Sequence, residues 1–567
     1  MNERSYWSKV LRRRVGRRRV LVGAGALAAG TAFLAACGGG DEEERPTGAA
    51  AGSPTTGVTG PAGGQPKSGG VFRTDMIAED PAHFDMHQGA SFGITEPFTI
   101  AYDQLVQFSN TDLGAIVPNL ASAWETPDTT QLTFKLAEAT FHDDTPFTSE
   151  DVKVTFERVK NPPQGVVSVR RQWFEPVDSI ETPDERTVVF RMNRPSAFLL
   201  TGLGTHNLAI YSAKDLAADP LFPTKKENGT GPFMLDRVDQ GSRYTFKKNP
   251  NYFVEGRPYL DGIEWNIIPE AVARFAAWRA KNLDMFNPQA SDVRGIEGIS
   301  DATYIATGGT SYWVITVPTW KQPWNDERIW KAIALAVNKD DFNQAWFLGT
   351  SAHGGPMPPG SEWALTEEEQ LQVPGYKGLG DGKESTMEAR WAEARKLLDA
   401  AGIPKGFKYT LFSWDTDSFR TWAEVILDGL RHVEMQGELN LVDRGTYDER
   451  LAKRDFGDIA GNSRSAVISD PTPVFADSYI EGAGRQYSGL VIPEVEELFV
   501  KQEAELDHNK RFDLQNQMQK VFVAKWPLDI AVFTVSQEAI WNHVKDYGTL
   551  YSSMYQGRKY TDLWLDR

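Results

Sequence analysis

Residues 385–471 constrain the fold more than any other stretch of this chain. Ser385-Thr386-Met387-Glu388 reads as a capping box opening a helix that carries Ala394, Leu397, Leu398 and Ala401 inward and stops at Gly402. Phe407, Tyr409 and Leu411 then alternate with polar residues as a half-buried strand does, and Ser418 to Met435 places Trp422, Val425, Ile426 and Leu430 on one helical face. Leu439 and Leu441 mark a second strand, Tyr447 to Lys453 a second helix, and Asp458-Ile459-Ala460 a third strand. This order predicts a βαβαβ unit whose parallel strands end on one edge, where ligands settle in open α/β sheets. Ser413-Trp414-Asp415 is expected there after the first strand and Gly461-Asn462-Ser463-Arg464 after the third. Trp414 would offer a flat apolar surface and Arg464 a planar fork of donors. The plain alternatives are a core or rim tryptophan and a solvated loop arginine.

The amino-terminal segment bears on location rather than fold. Arginines at 12, 13, 14, 17, 18 and 19 precede Val20 to Ala36, an uncharged run rich in Ala, Gly, Leu and Val. Basic residues before such a run form a signal peptide, and its 17 residues fall short of the roughly 20 strongly apolar ones a spanning helix needs. Leu34-Ala35-Ala36-Cys37-Gly38 resembles the lipobox of bacterial lipoproteins, which implies a diacylglycerol on Cys37, the single cysteine. Arg17-Arg18 resembles a twin-arginine export signal, with general secretion as the alternative. Residues 38–68, rich in Gly, Ala, Pro, Thr and acidic side chains, are too polar to pack and read as a flexible tether. The first 19 residues carry eight basic side chains against Glu3, so the formal charge of −17 becomes −24 for the remainder. An acidic exported body argues against nucleic acid and against an anionic bilayer as partners.

From Gly69 onward short motifs follow one another at the spacing of the family 5 extracellular solute-binding proteins, which the chain resembles over nearly its whole length after residue 68. They include Tyr102-Asp103-Gln104-Leu105-Val106, Pro118-Asn119-Leu120-Ala121, Phe141-His142-Asp143-Asp144-Thr145-Pro146-Phe147, Gly229-Thr230-Gly231-Pro232-Phe233 and Pro323-Trp324-Asn325-Asp326. Asp144 stands where the family usually has Gly, Asn325 reads as an N-cap, and Ile329, Ile333 and Val337 share one helix face. The resemblance implies an α/β, periplasmic-binding-protein-like type II fold: two lobes joined by a two-strand hinge, with an extra subdomain inserted in the first lobe. Expected boundaries are 1–36 for the signal peptide and 37–68 for the lipidated Cys37 and tether. Lobe I would take 69–318 plus 535–567, with the insert at about 106–228, lobe II 319–534, and the crossings near 316 and 535 would act as hinge.

The same resemblance implies a monomeric lipoprotein on the outer face of the cytoplasmic membrane that captures a peptide-like solute for an ABC permease, with no cofactor and no catalysis. The ligand contacts it suggests are Trp414, Arg464, Asn462, Trp313 and Asp470, with Ser91 and Phe92 on a loop along the cleft. Peptide-binding members usually hold the ligand's amine on an Asp, yet Val467 occupies that place. Arg464 instead suggests a carboxylate, phosphate or hydroxyl-rich group. Oligosaccharide- and metal-chelate-binding receptors of the family are alternatives. From another class, Gly89-Ala90-Ser91-Phe92-Gly93 matches a G-x-S-x-G serine-hydrolase elbow, but the polar, Pro81-containing stretch before it does not read as the buried strand an elbow requires. His83 and His87 are four apart, as copper or nickel ligands on a helix would be, but Pro81 disfavours a helix here, and no metal site is expected.

Overall fold

The computed structural model describes residues 64–76, 80, 83–89, 96–109, 115–466, 468–547 and 560–567. The signal peptide, Cys37, the tether to residue 63, Ser91, Phe92 and Val467 lie outside the described residues.

The first strand of the described residues is β1 (Val71–Met76), and they go on to a hairpin pair around one helix: β2 (Ala121–Asp128), β3 (Gln131–Leu136), α1 (Ser149–Lys160), β4 (Val177–Asp184) and β5 (Thr187–Met192). These four strands form an antiparallel sheet in the order β2-β3-β5-β4. Between β3 and α1 the chain turns at Asp144, whose φ of 64° is the left-handed value that glycine adopts most cheaply. Its neighbour Asp143 accepts from Thr145 N at 3.1 Å and closes the turn.

Strands β6 (Phe233–Asp239), β7 (Arg243–Lys248) and β8 (Gly262–Ile267) return to β1, giving a second sheet ordered β1-β8-β7-β6 in which β1 and β8 run parallel. Phe72, Phe98, Tyr102, Phe246 and Trp265 fill the core against it.

The largest sheet takes its strands from most of the remaining chain. It draws on β9 (Met285–Phe286), β10 (Ala302–Thr316), β11 (Ala352–Gly354), β12 (Phe407–Trp414), β13 (Met435–Val442), β14 (Ile459–Ser465) and β15 (Ala531–Trp541). The order is β9-β15-β10-β14-β12-β13, with β11 beside β15. Strand β12 is parallel to both β13 and β14, as the βαβαβ reading requires. Strand β10 is shared. Its first part pairs with β15 from Ala302↔Trp541 to Gly308↔Val535, the register shifts between Gly308 and Tyr312, and Ser311 to Thr316 also pair antiparallel with β14.

Helices cover this sheet: α2 (Glu327–Ala336), α3 (Lys339–Phe347), α4 (Met387–Ala400), α5 (Asp417–His432), α6 (Arg444–Ala452), α7 (Pro471–Ser478), α8 (Pro493–Ala504) and α9 (His508–Lys525). Helix α5 buries Phe419, Trp422, Ala423, Ile426 and Leu430, one stripe at helical spacing, and Trp422 Nε1 donates to the Val314 carbonyl at 3.2 Å. Two helix starts fall one residue later than the sequence suggests. Asp326, not Asn325, caps α2 by accepting from Arg328 N, and Thr386, not Ser385, caps α4 by accepting from Ala389 N. Among the described residues no helix is long and apolar enough to cross a membrane.

The antiparallel sheet's neighbourhood touches α7 and α8 through buried polar groups. Trp173 Nε1 donates to Asp477 Oδ1 at 2.7 Å, Ala197 N to the Glu503 carbonyl at 2.8 Å, and Arg194 Nη2 to Glu503 Oε2 at 2.9 Å. Desolvation pushes Glu503 up from 4.5 to about 7 despite Arg194, and Asp477 from 3.8 to about 6 despite Arg170 and Arg485. A carboxyl that holds its proton more tightly folded than unfolded contributes most below its unfolded pKa and loses that contribution as pH rises through the folded value. Stability is therefore expected to fall between pH 4.5 and 7 by an amount on the order of 1–3 kcal/mol, and Glu503→Gln to flatten that slope in urea unfolding across the same range.

Candidate ligand-binding site

Strand β14 decides which predicted contacts can meet a solute. Gly461 to Arg464 were expected beyond the third strand's end, but they lie within it and are hydrogen-bonded to β10. Successive side chains of a strand point to opposite faces. Ser463 stands beside Trp313, on the face where Trp313 packs on Phe342 at 5.1 Å and Phe419 at 4.5 Å between ring centres. Trp313 is thus a core residue, 6% exposed.

Asn462 and Arg464 take the other face. Asn462 is buried and its Nδ2 donates to Thr316 Oγ1 at 2.8 Å, so its amide links two strands. Asp470 is likewise committed internally. It caps α7 by accepting from Thr472 N at 2.8 Å, and its two oxygens accept from Arg511 at 2.7 and 2.8 Å. All three side chains are engaged inside the protein, although Trp313 Nε1 and Asn462 Oδ1 have no partner among the described residues.

Arg464 is 2% exposed. Its Nη1 donates to the Ser478 carbonyl at 3.1 Å, its guanidinium lies 4.8 Å from the Tyr479 ring centre and 5.9 Å from that of Tyr487, and Nε has no partner. Beside it Tyr312 and Tyr479 share a hydroxyl hydrogen bond of 3.1 Å. Burial disfavours the charge of Arg464, but Tyr479, Asp529 and Tyr312 outweigh burial and move its pKa upward, so it stays a cation.

Trp414 ends β12 half-buried, edge-on to Phe419 at 5.1 Å, with the Arg444 guanidinium 4.6 Å above its ring. The carboxyl-end edge of the parallel strands thus presents an aromatic face and a cation. Tyr447, from the same α6 as Arg444, stacks on Phe412 and donates to the Gly461 carbonyl at 3.2 Å.

Sequence reasoning passed over Arg170, Arg485 and Asp477. Arg170 is buried against Trp173, and its Nη1 donates at 2.8 Å to the carbonyl of Gly89. Burial, reinforced by repulsion from Arg485, lowers it to about 10. His87 is spent inside the fold. Its Nε2 meets the Ala209 carbonyl at 2.9 Å, its Nδ1 meets Arg158 at 3.2 Å, and burial lowers it to about 4, so neither ring nitrogen is directed at a metal. Among the described residues no cluster of three or more His, Cys, Asp or Glu could hold a metal ion.

A family model described as bacterial extracellular solute-binding proteins, family 5 Middle, matches residues 115–485. The chain belongs to that family. The dipeptide-binding protein of Escherichia coli K12 is 26% identical over 479 residues, covering 79% of this chain and 86% of that protein. Among solved structures, the family 5 chain superimposes on AgaA from A. tumefaciens R10 bound to agropinic acid with a TM-score of 0.77, at 22% identity over 88% of this chain and 99% of that one. It matches the Helicobacter pylori binding protein DppA in complex with the peptide STSA with a TM-score of 0.75, at 23% identity and the same coverage. The family 5 fold is therefore the one the sequence motifs imply.

Proposed function

We propose that this protein is the extracytoplasmic receptor of an ABC importer, capturing a peptide-like solute between two lobes and presenting the closed form to the membrane permease. The observation that carries this reading is the edge of β12, where Trp414 and Arg444 stand together in a fold shared with extracellular solute-binding proteins. The peptide-like solute is suggested by the Escherichia coli relative, a dipeptide-binding protein by name, and by the Helicobacter pylori structure in complex with a peptide. Lobe I would comprise 69–318 and 535–567 with an insert at about 106–228, and lobe II 319–534. Support for a hinge comes from the side-by-side run of β10 and β15 and the register shift between Gly308 and Tyr312. A solute that contacts both lobes only when they are closed shifts the population toward closure by its difference in affinity. A diacylglycerol on Cys37 would keep the body at the outer face of the membrane, and no bond in the solute need be broken.

Thermal unfolding against panels of peptides, oligosaccharides and metal chelates tests this. A true ligand at 100 times its dissociation constant is expected to add about 2.7 kcal/mol of stability. A flat response to every panel would reject the receptor reading. Cys37→Ser is expected to move the protein from the membrane fraction to the soluble extracytoplasmic fraction, and unchanged membrane retention would reject the lipid anchor.

A further inference from the structure

Three arginines surround the segment Asp477–Tyr479, and among the described residues none of them is in an ion pair with a carboxylate. Of the other buried guanidinium groups, Arg158 is matched by Asp85, Arg274 by Asp75 and Arg511 by Asp470, whereas Arg390 stands singly, its donors on the Val337 and Gly375 carbonyls. Among the described residues Arg464 donates only to the Ser478 carbonyl and Arg170 only to the Gly89 carbonyl. Half-buried Arg485 is tied into the same place through its backbone, whose N–H donates to the Asp477 carbonyl at 2.9 Å. The Nε atoms of all three are buried without a partner.

Two carboxyl groups lie close enough to act on these charges. Asp477 is occupied by Trp173 and is pushed up to about 6, and Asp529, fully buried beside Tyr479, is also raised by desolvation. Burial disfavours the charged form of both carboxyls, and among the described residues neither forms an ion pair with a guanidinium. The balance around Asp477–Tyr479 is positive, three cations against two carboxyls. A buried cation without a partner carries a desolvation penalty of several kcal/mol, which a bound counter-ion would remove. A guanidinium fork also matches a planar oxyanion with two parallel donors.

We infer that the solute carries an anionic group, a carboxylate or a phosphate, that seats against Arg464 and Arg485 with Arg170 behind them and the Tyr479 and Tyr487 rings alongside. This rests on the receptor reading, and deepens it by giving the charge of the ligand's anchoring end.

The test uses the purified full-length protein and thermal unfolding against matched probes: N-acetyl dipeptides and sugar acids, each beside its amide, the corresponding dipeptide amides with a free amine, and inorganic phosphate alone. Stabilisation is expected from the acids and to be lost on amidation. Titration calorimetry of the best acid should show at least tenfold weaker binding in Arg464→Gln. Because Arg464 is buried and its loss can unfold the protein, Arg485→Gln at the half-buried position is the second variant, with the same tenfold expectation and an unchanged circular dichroism spectrum. Phosphate that binds alone and is lost in Arg485→Gln assigns a phosphate group, and acids binding without phosphate assign a carboxylate. Hits that survive amidation, free-amine probes that bind where the acids do not, or an unchanged affinity in folded Arg485→Gln would overturn the inference while leaving a receptor. Failure of every probe, charged or neutral, would remove the receptor reading and the inference with it.

Discussion

Asp470→Ala is expected to destabilise the protein by about 3–5 kcal/mol, the usual cost of stranding one member of a buried ion pair. Arg511 is 7% exposed and directs Nη1 and Nη2 at the two Asp470 oxygens. Thr472 Oγ1 at 3.0 Å and Gln502 Oε1 at 3.2 Å remain as acceptors, but neither carries charge. The substitution also removes the cap of α7, worth typically about 1 kcal/mol. Adding Arg511→Met should recover most of the loss, because the pair is then replaced by apolar groups rather than broken. Urea unfolding of the two variants measures both. A normally stable Asp470→Ala that has lost only solute binding would return Asp470 to the ligand site.

The second large effect is expected at Gly229. A Cβ there would stand 1.9 Å from the Ala101 carbonyl oxygen and 2.8 Å from the Tyr102 ring, well inside van der Waals contact. The backbone around it cannot give way cheaply. Ala101 O accepts from Gly231 N at 2.9 Å and Gly229 O from His142 N at 2.8 Å, so a shift at Gly229 breaks the bonds that bring three chain segments together. Gly229→Ala is expected to cost about 3 kcal/mol or more. Gly298→Ala, where an added Cβ meets nothing within 4 Å, should change little and serves as the control. Equal unfolding midpoints for the two variants would refute this account of the Gly-Thr-Gly-Pro motif.

The alternation of β12, α5, β13, α6 and β14 was legible because apolar side chains there keep strand and helix periods almost without interruption. Helix starts slipped by one where two cap-competent residues adjoin, as at Asn325-Asp326 and Ser385-Thr386. Only the final side-chain geometry tells such neighbours apart. The extent of β14 was hidden by its polarity: Gly461-Asn462-Ser463-Arg464 reads as a loop, yet inside the sheet Asn462 donates to Thr316, distant in sequence, and Arg464 to the Ser478 carbonyl. Trp313 carried no signal separating core from cleft. Arg170 comes from a segment far from Asp477 and Arg485 and meets them only through the packing of the antiparallel sheet's neighbourhood against α7, which no local pattern encodes.

The shared strand β10 also bears on synthesis. Its partner β15 is contributed by residues 531–541, more than 200 positions downstream of the strand it flanks. A nascent chain that has emerged only as far as α9 therefore carries one side of β10 as an open template of unpaired amides and carbonyls, a surface prone to pair with other chains. That edge stays open until β15 arrives, and a truncation just before Ala531 should collect as aggregate rather than as a smaller soluble body.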